Sequence, residues 1–145
     1  NNSKEQLKLQ KTLKQTMKKK VEMEYELRTR SGNTVWTLIS TPMGLMKWLA
    51  DDIKFDGVKA TFSWGDPLRE QATHHATILE EAKNKYIRFH WNDTDHDVYW
   101  EIKMQKSEIA GNYHLLITDF AEEDEIDDLK LLWNQDIDRL LQITG

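Results

Sequence analysis

Residues 122–143 read EEDEIDDLKLLWNQDIDRLLQI. Ile126, Leu129, Trp133, Ile137, Leu140 and Leu141 recur there at helical spacing, so the stretch predicts a long amphipathic helix. Glu122, Glu123, Asp124 and Glu125 crowd its first turns, where carboxylates favour the positive end of the helix dipole. They read as a solvated helix start. One apolar stripe on one helix needs another apolar surface to cover it.

That surface is written upstream as strands. Residues 97–106 alternate most clearly, with Val98, Trp100, Ile102 and Met104 opposite Tyr99, Glu101, Lys103 and Gln105. Gly111-Asn112 turns the chain, and Tyr113, Leu115 and Ile117 form the last strand. Going back, Lys85–Trp91 groups Ile87, Phe89 and Trp91, and Asn92–Asp95 is its hairpin loop. Arg69–Glu80 is a longer, less regular strand. Lys59–Trp64 places Ala60, Phe62 and Trp64 on one face before the turn Gly65-Asp66-Pro67. The first strand, Val21–Arg28, alternates Val21, Met23, Tyr25 and Leu27 with Glu22, Glu24, Glu26 and Arg28. Between it and the others, Ser31-Gly32-Asn33 breaks the chain and Thr34–Ser40 reads as a short helix. Pro42 opens a second short helix carrying Leu45, Met46, Trp48 and Leu49. The expected fold is α+β: a curved antiparallel sheet, two short helices after strand one, and a long C-terminal helix packed across the sheet.

Composition narrows the function. The chain has 145 residues, 39% hydrophobic and 31% charged, which fits one globular domain with its own core. It has no cysteine, which excludes disulfides, thiolate catalysis and thiolate metal sites and suits a cytoplasmic location. No stretch approaches the roughly 18 apolar residues of a membrane span, and no signal-peptide pattern opens the sequence. Residues 1–20 hold seven lysines against one acid, Glu5, while the remainder holds 13 basic and 24 acidic residues. The folded part is thus acidic and unsuited to nucleic acid or an anionic membrane. Residues 1–17 read as a basic tail or vector-derived segment, with a thin stripe of Leu7, Leu13 and Met17. The alternative is a basic arm for an acidic partner. The domain proper is expected over 18–145.

The stretch Val35-Trp36-Thr37-Leu38-Ile39-Ser40-Thr41-Pro42, followed by Trp48 and Gly57, resembles the opening of START-like helix-grip domains (the SRPBCC, Bet v 1-like superfamily). Leu132-Trp133 and Leu140 are similar to the terminal helix of its branch related to the activator of heat-shock-protein ATPase. The nearest likeness is to uncharacterised bacterial START-like proteins. The resemblance implies a hydrophobic cavity between sheet and long helix, with lipids or other apolar small molecules as the ligand class. The eukaryotic co-chaperone of that branch has an additional N-terminal domain with no counterpart in this sequence.

Six tryptophans sit mostly on the expected inward faces. Candidate cavity-lining residues are Tyr25, Trp36, Trp48, Phe62, Trp64, Phe89, Trp100, Ile102, Tyr113, Trp133 and Ile137, with Tyr25, Trp64 and Trp100 foremost and the tyrosine hydroxyls orienting a ligand. The competing expectation is that most of these rings simply fill the core. His74 and His75 point to opposite faces of a strand and cannot chelate one ion together. His90, Asp93, Asp95, His96 and Asp97 cluster at one hairpin, but Val98 and Met104 stand where a calcium loop needs Gly and Glu. No metal, cofactor or catalytic set is expected. His75, His114 and Asp119 would enter the interior only if the strand registers slip by one, and Asp119 is a candidate cap for the last helix. No carboxylate pair is evident at a plausible separation. The leading expectation is a non-enzymatic domain binding a hydrophobic small molecule or lipid. The alternatives are a protein-interaction or co-chaperone-like module without an open cavity, and a cyclase- or hydrolase-type enzyme.

Overall fold

The computed structural model describes residues 3–9 and 18–144. Residues 3–9 form an exposed helix, α1. Leu13 and Met17 of the N-terminal stripe lie outside the described residues. The order from there is β1 (Lys19–Glu26), α2 (Gly32–Ser40), α3 (Pro42–Leu45), β2 (Asp52–Asp56), β3 (Lys59–Asp66), β4 (Glu70–Ala82), β5 (Tyr86–Trp91), β6 (Trp100–Lys106), β7 (Tyr113–Ala121), a 3-10 turn (Glu123–Glu125) and α4 (Ile126–Thr144). The seven strands make one curved, open antiparallel sheet in the order β1-β7-β6-β5-β4-β3-β2. This is the α+β arrangement that the periodicities predict, in the helix-grip form that the resemblance implies.

Pairing puts the apolar residues of successive strands on one face. Met23 opposes Ile117, Ile117 opposes Ile102, Ile102 opposes Ile87, and Phe89 opposes Trp100. Phe62, Ile87, Phe89, Ile102, Leu115 and Ile117 are all fully buried there. The outward residues carry the charge: Arg88 pairs with Glu101 at 2.9 Å and lies over the Tyr99 ring.

The two short helices fold as their caps dictate. Ser31 accepts a hydrogen bond from the Thr34 amide at 3.3 Å and starts α2. Thr41 accepts from the Gly44 amide at 3.0 Å, with Pro42 in the first turn of α3. Gly44 has to be glycine, because a Cβ there would sit 2.0 Å from the Thr37 carbonyl oxygen. That close approach seats Leu38, Ile39, Leu45 and Trp48 in the core. The Trp48 indole donates to the Leu38 carbonyl at 2.9 Å.

β2 is a strand that the periodicity reading left out. It offers only Ile53 and Phe55 between acids and lysine, too little alternation to stand out. It forms because Ile53 opposes Phe62 and is buried beneath the short helices. β6 begins at Trp100 rather than Asp97, since the hairpin around His90 and Val98 holds residues 97–99 out of the ladder.

Candidate functional site

α4 crosses the inward face and buries Trp133, Ile137 and Leu140. Polar contacts fix its position. Tyr25 on β1 donates its hydroxyl to Asn134 at 2.6 Å, and Arg139 donates Nε to the Trp48 carbonyl at 3.1 Å. The helix does not seal the sheet along its whole length. Towards the end of the sheet formed by β3, β5 and the start of β6, a partly open cleft of about 180 Å³ remains.

Its sheet wall is aromatic: Trp64 from β3, Trp91 from β5 and Trp100 from β6. Leu49, just after the α3 turn, closes one side, and its carbonyl accepts from the Trp64 indole at 2.9 Å. The helix wall is Leu129, Leu132, Trp133 and Asp136. The rings form a continuous chain, with centroids 6.2 Å apart for Trp64–Trp91, 5.2 Å for Trp91–Trp100 and 6.0 Å for Trp100–Trp133. The Trp100 indole N–H is buried and meets no acceptor among the described residues.

Two carboxylates open onto this apolar surface, Asp119 from β7 and Asp136 from α4. Asp119 accepts from its neighbour's amide, Phe120, at 2.8 Å and from the Trp133 indole at 2.9 Å. Burial nevertheless outweighs these bonds and raises its pKa to about 6. Asp136 is also raised to about 6, by burial, against the opposing pull of Arg139, with which it pairs.

Asp119 faces inward without any slip of register. It follows Leu115 and Ile117 at the strand period of two and pairs with Val21 of β1. Its carboxylate bonds to Trp133 and not to a helix end, and Glu122 holds the N-cap position of the 3-10 turn. His75 and His114 face outward, His75 within 3.2 Å of the Thr61 hydroxyl and His114 beside Glu24 at 3.2 Å. His74 lies on the inward side, against Trp64 and Trp91. The fold therefore brings a pair of acids to one site that sequence spacing hid, because they are separated by a turn and half a helix.

The eleven candidate lining residues divide in two. Trp64, Trp100 and Trp133 line the cleft. Trp48, Phe62, Phe89, Ile102 and Ile137 are buried core side chains, and Trp36, Tyr25 and Tyr113 are partly buried against that core. Trp91 and Asp136 line the cleft outside that set. Trp91 was legible on the face shared by Ile87 and Phe89, whereas Asp136 sits one residue before Ile137 on the helix and carries no signal of its own. Among the described residues, the carboxylates close enough together to hold a metal ion are Glu122, Asp124 and Glu125, at the start of the last helix, and none of them lines the cleft. No helix among the described residues is long and apolar enough to cross a membrane.

Comparison with known proteins agrees with the fold. The profile of the START-like superfamily domain matches residues 15–145. A Bacteroides fragilis protein solved by NMR is 43% identical, with a TM-score of 0.61 over 89% of this chain and 93% of that one. The Aha1 dimer from Colwellia psychrerythraea is 15% identical with a TM-score of 0.64, covering 87% of this chain and 93% of that one. The AHSA1-like protein from Aeromonas hydrophila is 14% identical with a TM-score of 0.68, covering 86% and 90%. At those identities the last two share the fold alone. No protein of curated function matches the sequence. With its sheet, its gripping helix and a profile match over nearly its whole length, this chain belongs to the START-like superfamily.

Proposed function

We propose that this domain binds a small, largely apolar molecule in the cleft between the sheet and α4, without covalent chemistry. The observation that supports this is the chain of indoles from Trp64 to Trp133 along one cleft, in which Trp64 and Trp91 are partly exposed and Trp100 and Trp133 are nearly covered. Exposed indole surface next to leucine is costly in water and is recovered when a ligand covers it. The volume of about 180 Å³ sets the scale. Sites for drug-sized ligands begin near about 300 Å³, so the occupant is a small molecule or the tip of a longer lipid. A whole sterol or diacyl lipid would require the core rings Phe62 and Phe89 to move.

The test is titration of the folded protein with a panel of small apolar probes, read by tryptophan fluorescence. Saturable one-to-one binding is expected, weakened at least tenfold in L132W, which fills the mouth of the cleft from a largely exposed position. No binding across the panel by the folded wild-type protein sinks the reading.

One observation favours a second reading, acid–base catalysis: Asp119 and Asp136 both titrate near 6 in one apolar cleft. It requires turnover of a bound probe, seen as product by mass spectrometry and lost in D119N.

A further inference from the structure

The chemistry of the cleft limits its occupant more sharply than its apolar area does. Two of its groups are carboxylates, and one of them, Asp119, makes no ion pair among the described residues and feels only the more distant charge of Lys18. Asp136 pairs with Arg139. Asp119 makes its two hydrogen bonds to neutral donors, the Phe120 amide and the Trp133 indole, and no cation lies within ion-pair distance of it among the described residues. The titratable groups coupled to the two acids are Lys18, ahead of β1, with Asp119, and Arg139 on α4 and Tyr25 on β1 with Asp136, while His74 on β4 lies against Trp64 and Trp91. An ionised buried carboxylate without a counter-charge is costly. The same carboxylate would repel the head group of a fatty acid or any other anion entering the cleft.

The aromatic wall points the same way. Indole is the strongest of the side-chain rings in attracting a cation to its face, and several rings around one small space form the usual receptor for alkylated ammonium groups. Trp64, Trp91, Trp100 and Trp133 line one cleft with two acids at its edge. Resting on the binding reading above, we propose that the ligand of this cleft is a compact organic cation, a substituted ammonium whose alkyl groups lie against the indoles and whose charge is met by Asp119, supported by Asp136. The buried Trp100 N–H adds a donor without an acceptor, which suits a ligand carrying an oxygen near its nitrogen.

A pair of probes of equal shape separates this proposal from the reading it rests on. Trimethylphenylammonium and tert-butylbenzene differ in one atom and one charge. Their binding to the full chain at pH 7.5 is followed through the six indole N–H signals by two-dimensional NMR. The expected result is at least tenfold tighter binding of the cation. That preference should fall to less than threefold in D119N, and in the wild type at pH 4.5, where both carboxylates are protonated. Should D119N not fold, W91L removes one ring of the cage and is expected to weaken the cation more than the hydrocarbon. Equal binding of the two probes, or tighter binding of tert-butylbenzene, overturns the cationic proposal and leaves an apolar site standing. No binding of either probe overturns both.

Discussion

Asp119 holds more consequences than any other single residue. Its folded pKa, about 6, lies above the ordinary value of 3.8 because the buried site disfavours the charge. The folded state therefore binds this proton more tightly than the unfolded chain does. The stabilisation is complete below the unfolded value near 4 and is lost as the pH rises through 6. Converted at about 1.4 kcal/mol per pH unit, Asp119 alone should lower the unfolding free energy by roughly 2–3 kcal/mol between pH 4 and pH 7. Urea unfolding at a series of pH values reads this slope, and D119N should flatten it. An unchanged slope in a folded D119N would place the titration elsewhere. Trp133→Phe removes the indole that hydrogen-bonds the carboxylate, so it should raise the Asp119 pKa further, measurable by NMR titration. In the sequence, Asp119 entered the interior only by a slip of register, although it stands two residues after Ile117 and the strand period alone turns it inward. Its environment was not legible, because the ring that bonds it comes from α4, 14 residues away.

Among the elements, α4 and the α2–α3 pair rest on different physics. α4 is held by side-chain burial, so Ile137→Ala, at a fully buried position, should cost about 2–5 kcal/mol of unfolding free energy. The α2–α3 pair is held by backbone proximity and capping. Thr41→Ala removes the cap of α3 and a hydroxyl bond to the Thr37 carbonyl, and should cost about 1 kcal/mol. Gly44→Ala has no room for its methyl group, so it should cost more than Thr41→Ala in the same denaturation series, or prevent folding. A Gly44→Ala protein as stable as wild type would mean that the two helices can separate without loss. Pro42 marked the start of α3 in the sequence, whereas Ser31 read only as part of a break and its capping role came from the structure. β2 was not legible, because its two apolar residues acquire their meaning only when Phe62 stands opposite.

At the scale of the molecule, a ligand that grips both the sheet and α4 should stabilise the whole domain. Saturation at a hundred times its dissociation constant contributes about 2.7 kcal/mol, a rise of roughly 5–10 °C in Tm for a domain of this size. Differential scanning calorimetry with and without the cationic probe checks it, and no rise at saturation would mean that binding does not couple the two layers. The period of two along β1, β3, β5, β6 and β7, and the helical period from Ile126 to Leu141, by themselves determined the two layers and the greasy faces between them. Local backbone geometry makes each side chain's direction a function of its position, so these features need no partner to be read. Only the tertiary structure decided which inward rings are core and which face a cleft. Trp48 and Trp64 look alike in the sequence, yet the course of α4 and the short helices over the sheet buries one and leaves the other on the wall of an open space. The placing of Asp119 and Asp136 on one cleft belongs to the same class. It depends on where the helix lands on the sheet, which is set by the packing of the whole interior and not by any local run of residues.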